Sequence, residues 1–458
     1  MKVRGSAAAQ LRALAERMSG DLLTAGQAGY DEARRVFNGM IDRHPAGIAL
    51  CASIDDVRHA VEFGRRLELP IAIRGGGHNV AGNGTCEGGL LISVGRLRSV
   101  RVDRARKLAW AGGGATWGDF DAATMDEGLA TPGGIVSSTG VAGLTLGGGI
   151  GVLRGRHGLT SDNLVGAELV TAGGDVVRAG PKVDAELLWG LRGGGGNFGV
   201  VTTFEFAVHP QGDVVSGPIE FAYHDPTGFL GFYRDYTSDL PDDFSCDLLL
   251  RSGPDGRPRF TLLTCWSGDP DRAGPVYEPL LARGPVSNGV ARRPYVEAQR
   301  LFDQASPWGQ RNYWKTNGLG GLTEDAIAVL VEVFEARSSP LSQVQFEHLH
   351  GAVHRSERGT SAVGFQNAAF NLLVNAKWLD PAADDENVAW ARTSFASLQP
   401  FLSGGAYVNY LLDEPEERVR AAYGASVYDR LSRLKAAYDP DNVFRLNQNI
   451  RPAAAAQT

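Results

Sequence analysis

Four glycine runs, at residues 75–77, 112–114, 147–149 and 193–196, constrain this chain more than any other feature. Glycine adopts positive φ without strain and lets another backbone or a ligand come close to the main chain. The chain holds 60 glycines in 458 residues, about twice ordinary usage. One run alone reads as a tight turn in a β-rich domain. Four in one folded chain point to a large cofactor lying against the backbone.

Length sets the scale of the fold. A chain of 458 residues exceeds one ordinary core and divides into two or three units. The net charge of −7, with no long basic run, excludes a nucleic-acid partner. No stretch reaches the roughly 18 apolar residues that a membrane span requires. The opening MKVRGSAAAQLRALAERM interleaves charges with short apolar groups. That pattern is no secretory leader, so the expected location is the cytoplasm. Leu11, Leu14, Ala15 and Met18 instead share one face of a short helix. Cys51, Cys86, Cys246 and Cys265 are widely spaced and form no CxxC pair. They read as buried thiols of a reducing compartment.

Residues 47–52 form an apolar run suited to a buried strand. Ser53 and Asp56 form a candidate capping box for the helix that follows. Val57, Ala60, Val61, Gly64 and Leu67 give that helix one packing face. Pro70 ends it, and Ile71 to Ile73 is a second strand running straight into Arg74-Gly75-Gly76-Gly77-His78. Successive N–H groups of such a loop cradle a pyrophosphate. Short strands at 89–94 and 108–111 and a helix at 120–128 continue this texture to about His209. Glycine then thins, and helices (326–336) alternate with strands (344–350). A strand over 406–411 is expected to precede helices reaching Tyr438. Residues 439–442 form a turn, and the closing AAAAQT frays.

Several motifs together resemble the vanillyl-alcohol-oxidase-like (PCMH-type) FAD-linked oxidoreductases, in the bacterial berberine-bridge-enzyme-like branch. They are RGGGHNVAG (74–82), STGVAGLTLGGGIGVLRGRHGLTSDNL (138–164), GGGGNFGVVT (193–202), YVNY (407–410) and YDPDNVFRLNQNI (438–450). The resemblance implies an α+β fold: a two-lobed PCMH-type FAD-binding domain plus an antiparallel-sheet substrate domain covered by helices. The units would be an N-terminal helical segment (1–36), the FAD domain (37–210), the substrate domain (211–405) and a C-terminal segment returning to the FAD domain (406–458). It implies FAD joined through its 8α-methyl to His78. Relatives with a second, cysteinyl link carry that cysteine where this chain has Val136, so a single covalent bond is expected.

By the same resemblance, Arg74, Gly75, Gly76, Gly77, Asn79 and Gly82 surround the pyrophosphate. Gly140, Gly143, Gly147 and Gly148 border the ribityl chain and phosphates. Val201 passes near the adenosine side, and Asn447 and Asn449 reach the ring edge. Val136, Thr139 and Leu144 match the place where some relatives hold oxygen beside flavin N5, which allows an N5-oxygenated flavin.

On the substrate side, Tyr407 and Asn409 would share a strand face, with Tyr410 on the other. Tyr407 is a candidate base, with Lys315 as the cation that would lower its pKa. Glu347 is the second acid–base candidate. His348 and His350 share a face but lack a third ligand nearby, so no metal is expected. The expected function is oxidation of a small organic molecule (an alcohol, an amine or a secondary-metabolite intermediate) with hydride transfer to flavin and molecular oxygen as acceptor. The chain would act as a monomer or homodimer. A flavin-binding carrier without turnover is the alternative. A Rossmann-type NAD enzyme is set aside, because no GxGxxG opens a helix with an acidic residue about 20 positions on.

Overall fold

The computed structural model describes residues 7–357 and 359–454. Of the closing AAAAQT, the last four residues lie outside the described part, as does the opening MKVRGS. The chain builds an α+β fold of three main sheets.

The first sheet has four strands in the order Asp21–Leu23, Gly47–Leu50, Leu90–Ser93, Ile71–Arg74. The last three run parallel, and the helix Ile54–Arg66 makes the crossover that parallel strands need. Ser53 caps this helix by accepting from Asp56 N at 3.1 Å. The reciprocal half of the expected box goes elsewhere. The Asp56 carboxylate accepts from Ala52 N, Ser19 N and Gly20 N. The helix start thereby anchors the segment that follows the N-terminal helix, Ala7–Ala15. Leu11 and Leu14 of that helix are buried in the same core as Val57, Ala60 and Val61.

The second sheet is antiparallel, ordered Val100–Asp103, Leu108–Gly112, Val200–Ala207, Leu164–Val170, Val176–Ala179. Against it packs the helix Trp117–Met125. It starts three residues before the expected 120, because Thr116 and Asp119 form a full capping box. Trp117, Phe120, Phe204 and Phe206 are fully buried there; each contributes roughly 1.5–3 kcal/mol.

The third sheet is antiparallel and has eight strands. Pro258–Trp266, Phe244–Ser252, Gln343–His348, Phe370–Trp378 and Arg311–Leu319 run side by side in that order, the last at the sheet's edge. Val344, Phe346, Leu372, Val374 and Ala376 point to one face. The helices Pro226–Thr237, Glu324–Glu335 and Asp384–Leu398 cover that face. The alternate residues point the other way, toward the first two sheets.

The tail corrects one expectation. Residues 406–411 form no strand. Val408–Tyr410 is a single 3-10 turn, with Tyr410 N donating to Tyr407 O at 3.0 Å. The helices Glu416–Tyr423 and Ala425–Tyr438 follow. Buried Lys435 then donates to Asp439, to Asn197 O and to Phe444 O. This fixes the tail against the 193–196 glycine loop. All four cysteines are free and buried.

Candidate active site

Between the first two sheets and the third lies a cavity of ≈350 Å³, within the size range of cofactor and substrate sites. One wall is made of loops. Arg74, Gly75, Gly76, Gly77, His78 and Asn79 follow the strand Ile71–Arg74. Val136, Thr139, Gly140, Gly143 and Leu144 surround the short helix Val141–Leu146. Val201 and Asn447 complete this side. The opposite wall is the free face of the third sheet, with Gln343, Gln345, Glu347, Asn375, Lys377 and Trp314. Tyr407, Asn409 and Tyr410 close one end.

The loop wall is backbone laid on backbone. A Cβ on Gly76 would stand 2.3 Å from Gly140 N, and one on Gly140 would stand 2.4 Å from Gly76 N. Gly143 and Gly196 face open space, with nothing within 4 Å of a built Cβ. Glycine runs are therefore of two kinds. Residues 75–77 and 195–196 line the cavity, whereas 112–114 and 147–149 do not. At Gly114 a Cβ would strike Val94 O at 2.0 Å, so that run serves the packing of the two sheets. Gly147 lies behind the wall, where a Cβ would meet Asn409 Oδ1 at 2.2 Å. Gly148 backs onto Val363 and Tyr407, and Gly82 onto Ile41.

Arg74 lines the cavity, and its guanidinium donates to Ala33 O and Arg35 O. Asn447 Nδ2 donates to Gly196 O and Phe444 O, and its buried Oδ1 has no partner. Asn449 is off the cavity wall. Lys315 is not a neighbour of Tyr407. It pairs with Glu414 at 2.6 Å and lies over the Tyr313 ring. In register it stands opposite Val374, on the helix-covered face.

His78 stacks on Phe37 at 4.9 Å and meets the edge of Trp308 at 5.4 Å. Its Nε2 shares a 2.9 Å hydrogen bond with Ser138 Oγ. Burial pulls its pKa down to about 4, so the ring is neutral at pH 7.

Glu347 is the best-supported acid–base group. Oε1 accepts from Tyr410 OH at 2.8 Å and from Gln345 Nε2 at 3.3 Å, and Oε2 accepts from Asn371 Nδ2 at 2.6 Å. Burial first, then the charge of Asp247, pushes its pKa up to about 7. Tyr407 accepts from Asn409 Nδ2 at 3.0 Å, and burial raises its pKa well above the ordinary tyrosine value. That direction favours the protonated phenol rather than the base. Tyr410 escapes a reading of this segment as a strand. In a 3-10 turn residues i and i+3 eclipse, and the Tyr407 and Tyr410 rings lie 4.6 Å apart on the same side.

His348 and His350 stack at 4.7 Å. Among the described residues no three metal-ligating side chains gather. Also among the described residues, no helix is long and apolar enough to cross a membrane.

A glycine cradle facing a polar sheet across one cavity is the arrangement of a two-lobed flavin oxidoreductase. Residues 45–180 match the FAD binding domain model, and 406–451 match the berberine and berberine like model. An FAD-linked oxidoreductase of Dictyostelium discoideum is 31% identical over 95% of this chain and 96% of its own. The (R)-6-hydroxynicotine oxidase of Paenarthrobacter nicotinovorans is 30% identical, over 95% of this chain and 97% of its own. The crystal structure of 6-hydroxy-D-nicotine oxidase from Arthrobacter nicotinovorans superposes with a TM-score of 0.89 at 28% identity, covering 95% of this chain and 98% of that one. A xylooligosaccharide oxidase from Myceliophthora thermophila shares the fold, with a TM-score of 0.87 at 22% identity over 98% of this chain and all of that one. The chain belongs to the berberine-bridge-like family of FAD-linked oxidoreductases. It is an FAD-dependent oxidoreductase.

Proposed function

We propose that this chain is an oxidase that holds FAD through one covalent bond to His78 and oxidises a small organic substrate in the space between flavin and sheet. The observation that carries this reading is a neutral imidazole at one side of a glycine cradle, facing a buried carboxyl–phenol pair across the same cavity. The residues fit the cofactor. Gly75, Gly76, Gly77 and Asn79 offer main-chain N–H groups to the pyrophosphate. Gly140 and Gly143 leave room for the ribityl chain, and the orphan Asn447 Oδ1 suits a ligand that brings an N–H donor.

His78 would hold the flavin through its 8α carbon, its neutral ring offering the nitrogen lone pair for that bond. Bound FAD supplies hydride acceptance at N5 and return of the electrons to molecular oxygen. Glu347, through Tyr410, accepts the proton from the substrate hydroxyl or amine. Tyr407, held by Asn409, donates a hydrogen bond into the cavity. Val136, Thr139 and Leu144 form a small, mostly apolar patch of the loop wall where oxygen can approach.

Acid precipitation tests the linkage. The wild-type pellet should be yellow, and the His78→Ala pellet should release its flavin to the supernatant. Peroxide release on a panel of alcohols, amines and organic acids then tests the oxidase. A colourless wild-type pellet would remove the covalent bond from this reading.

A further inference from the structure

Among the described residues, none pairs with one charge on the sheet wall. Lys377 lines the cavity and is only 8% exposed. Among the described residues its Nζ has no hydrogen bond and no ion pair. The other cations on this face of the sheet are matched. Arg251 pairs with Glu220 at 2.5 Å, and Arg154 pairs with Asp247. Burial, with a smaller push from Arg251, lowers Lys377 to about 8, so the ammonium form still predominates at pH 7. An ammonium taken out of water without a counter-ion is costly. A site that keeps one facing a cavity is built for an incoming anion.

Two amides stand beside it. Asn375 is two residues earlier on the same strand face. Gln343 lies directly across from Asn375 on the neighbouring strand. Among the described residues neither side chain has a hydrogen bond to the protein, and Asn375 Oδ1 is buried without a partner. One cation and two amides match the single charge and the two oxygens of a carboxylate; a doubly charged phosphate would be left with an unmatched charge.

We infer that Lys377, Asn375 and Gln343 form a subsite for a carboxylate on the substrate. The inference rests on the proposed flavin chemistry only for which end of the substrate reacts. Glu347 is in register with Asn371, six residues from Lys377 along the strand, or about 20 Å at ordinary strand rise. The substrate is therefore an elongated organic acid, with its reacting end at Tyr410 and Glu347 and its carboxylate at the far end of the sheet wall.

Calorimetric titration of the holoenzyme with benzoate and with its neutral analogue benzamide tests this. Benzoate should bind at least about tenfold more tightly, and Lys377→Met should erase that preference while leaving benzamide binding unchanged. Lys377→Arg should keep most of the preference. Equal affinities, no binding of either probe, or a preference that survives in K377M overturns the subsite. So does a shifted flavin spectrum in unliganded K377M, which would place the ammonium on the cofactor. Flavin content is read on the same samples. A colourless wild type defeats the flavoenzyme reading, whereas a yellow protein without the preference defeats the carboxylate subsite alone.

Discussion

The two walls of the cavity are made in opposite ways. The loop wall is main chain, shaped by atoms that are missing: at Gly76 and Gly140 even a methyl group would collide with a peptide. The sheet wall is side chains standing on regular strands, where the pleat fixes direction but not identity. A residue change on the first wall moves the backbone. A change on the second replaces one functional group by another on an intact fold. In the proposed reading, cofactor binding belongs to the rigid half, and substrate choice to the half that can be rewritten.

That contrast can be broken experimentally, and the largest effect is expected on the loop wall. Gly76→Ala should cost about 3 kcal/mol through overpacking against Gly140 and empty the protein of flavin. Urea unfolding and the flavin-to-protein absorbance ratio measure both; an unchanged ratio would mean that the wall can yield. On the sheet wall, Glu347→Gln should fold and stay yellow, yet turn over roughly 10²-fold more slowly. Glu347 must lose its proton to act, so wild-type turnover should rise with pH through about 7, and the variant should lack that limb. Its raised pKa also means that the fold favours the protonated form. That contribution is fully present below the ordinary carboxyl value of 4.5 and is lost as pH rises from there through about 7, so E347Q should lose less stability than wild type over that range in thermal melts. Tyr410→Phe should slow turnover about tenfold with full flavin content, since it removes the relay and leaves the carboxyl. Lys315→Met should change kcat by less than about twofold, because its partner is Glu414 and not Tyr407.

The same contrast explains what the sequence disclosed. The loop wall could be read because glycine is its own signal, and His78 directly follows one run. Even there the reading went too wide. Gly147 and Gly148 belong to a glycine run as conspicuous as 75–77, yet their missing Cβ atoms make room for Asn409 and for a Val363 and Tyr407 contact. Close approach to protein and close approach to a ligand leave the same mark in a sequence. Alternation separates Glu347 from His348 and His350 but leaves open which face meets the cavity; the sheet pairing turns the Glu347 face to it. Alternation failed at 407–410, where a single 3-10 turn brings Tyr410 beside Tyr407. Lys377 had no local signal. It stands alone among apolar neighbours, and only the pairing of its strand with Arg311–Leu319 and Gln343–His348 gives it an environment.

The tail described above bears on how the enzyme comes into being. Asn197 donates to Gln448 O and accepts from Ile450 N, and Gln448 in turn donates to Leu411 O and Leu412 O. Asn447 and Gln448 are part of the cavity wall, but the ribosome makes them long after the His78 loop. A nascent chain can shape its glycine loops early, yet this wall of the cavity is unfinished until residues 447 and 448 have been made. On the proposed flavin reading, chains stopped before residue 447 should emerge without colour.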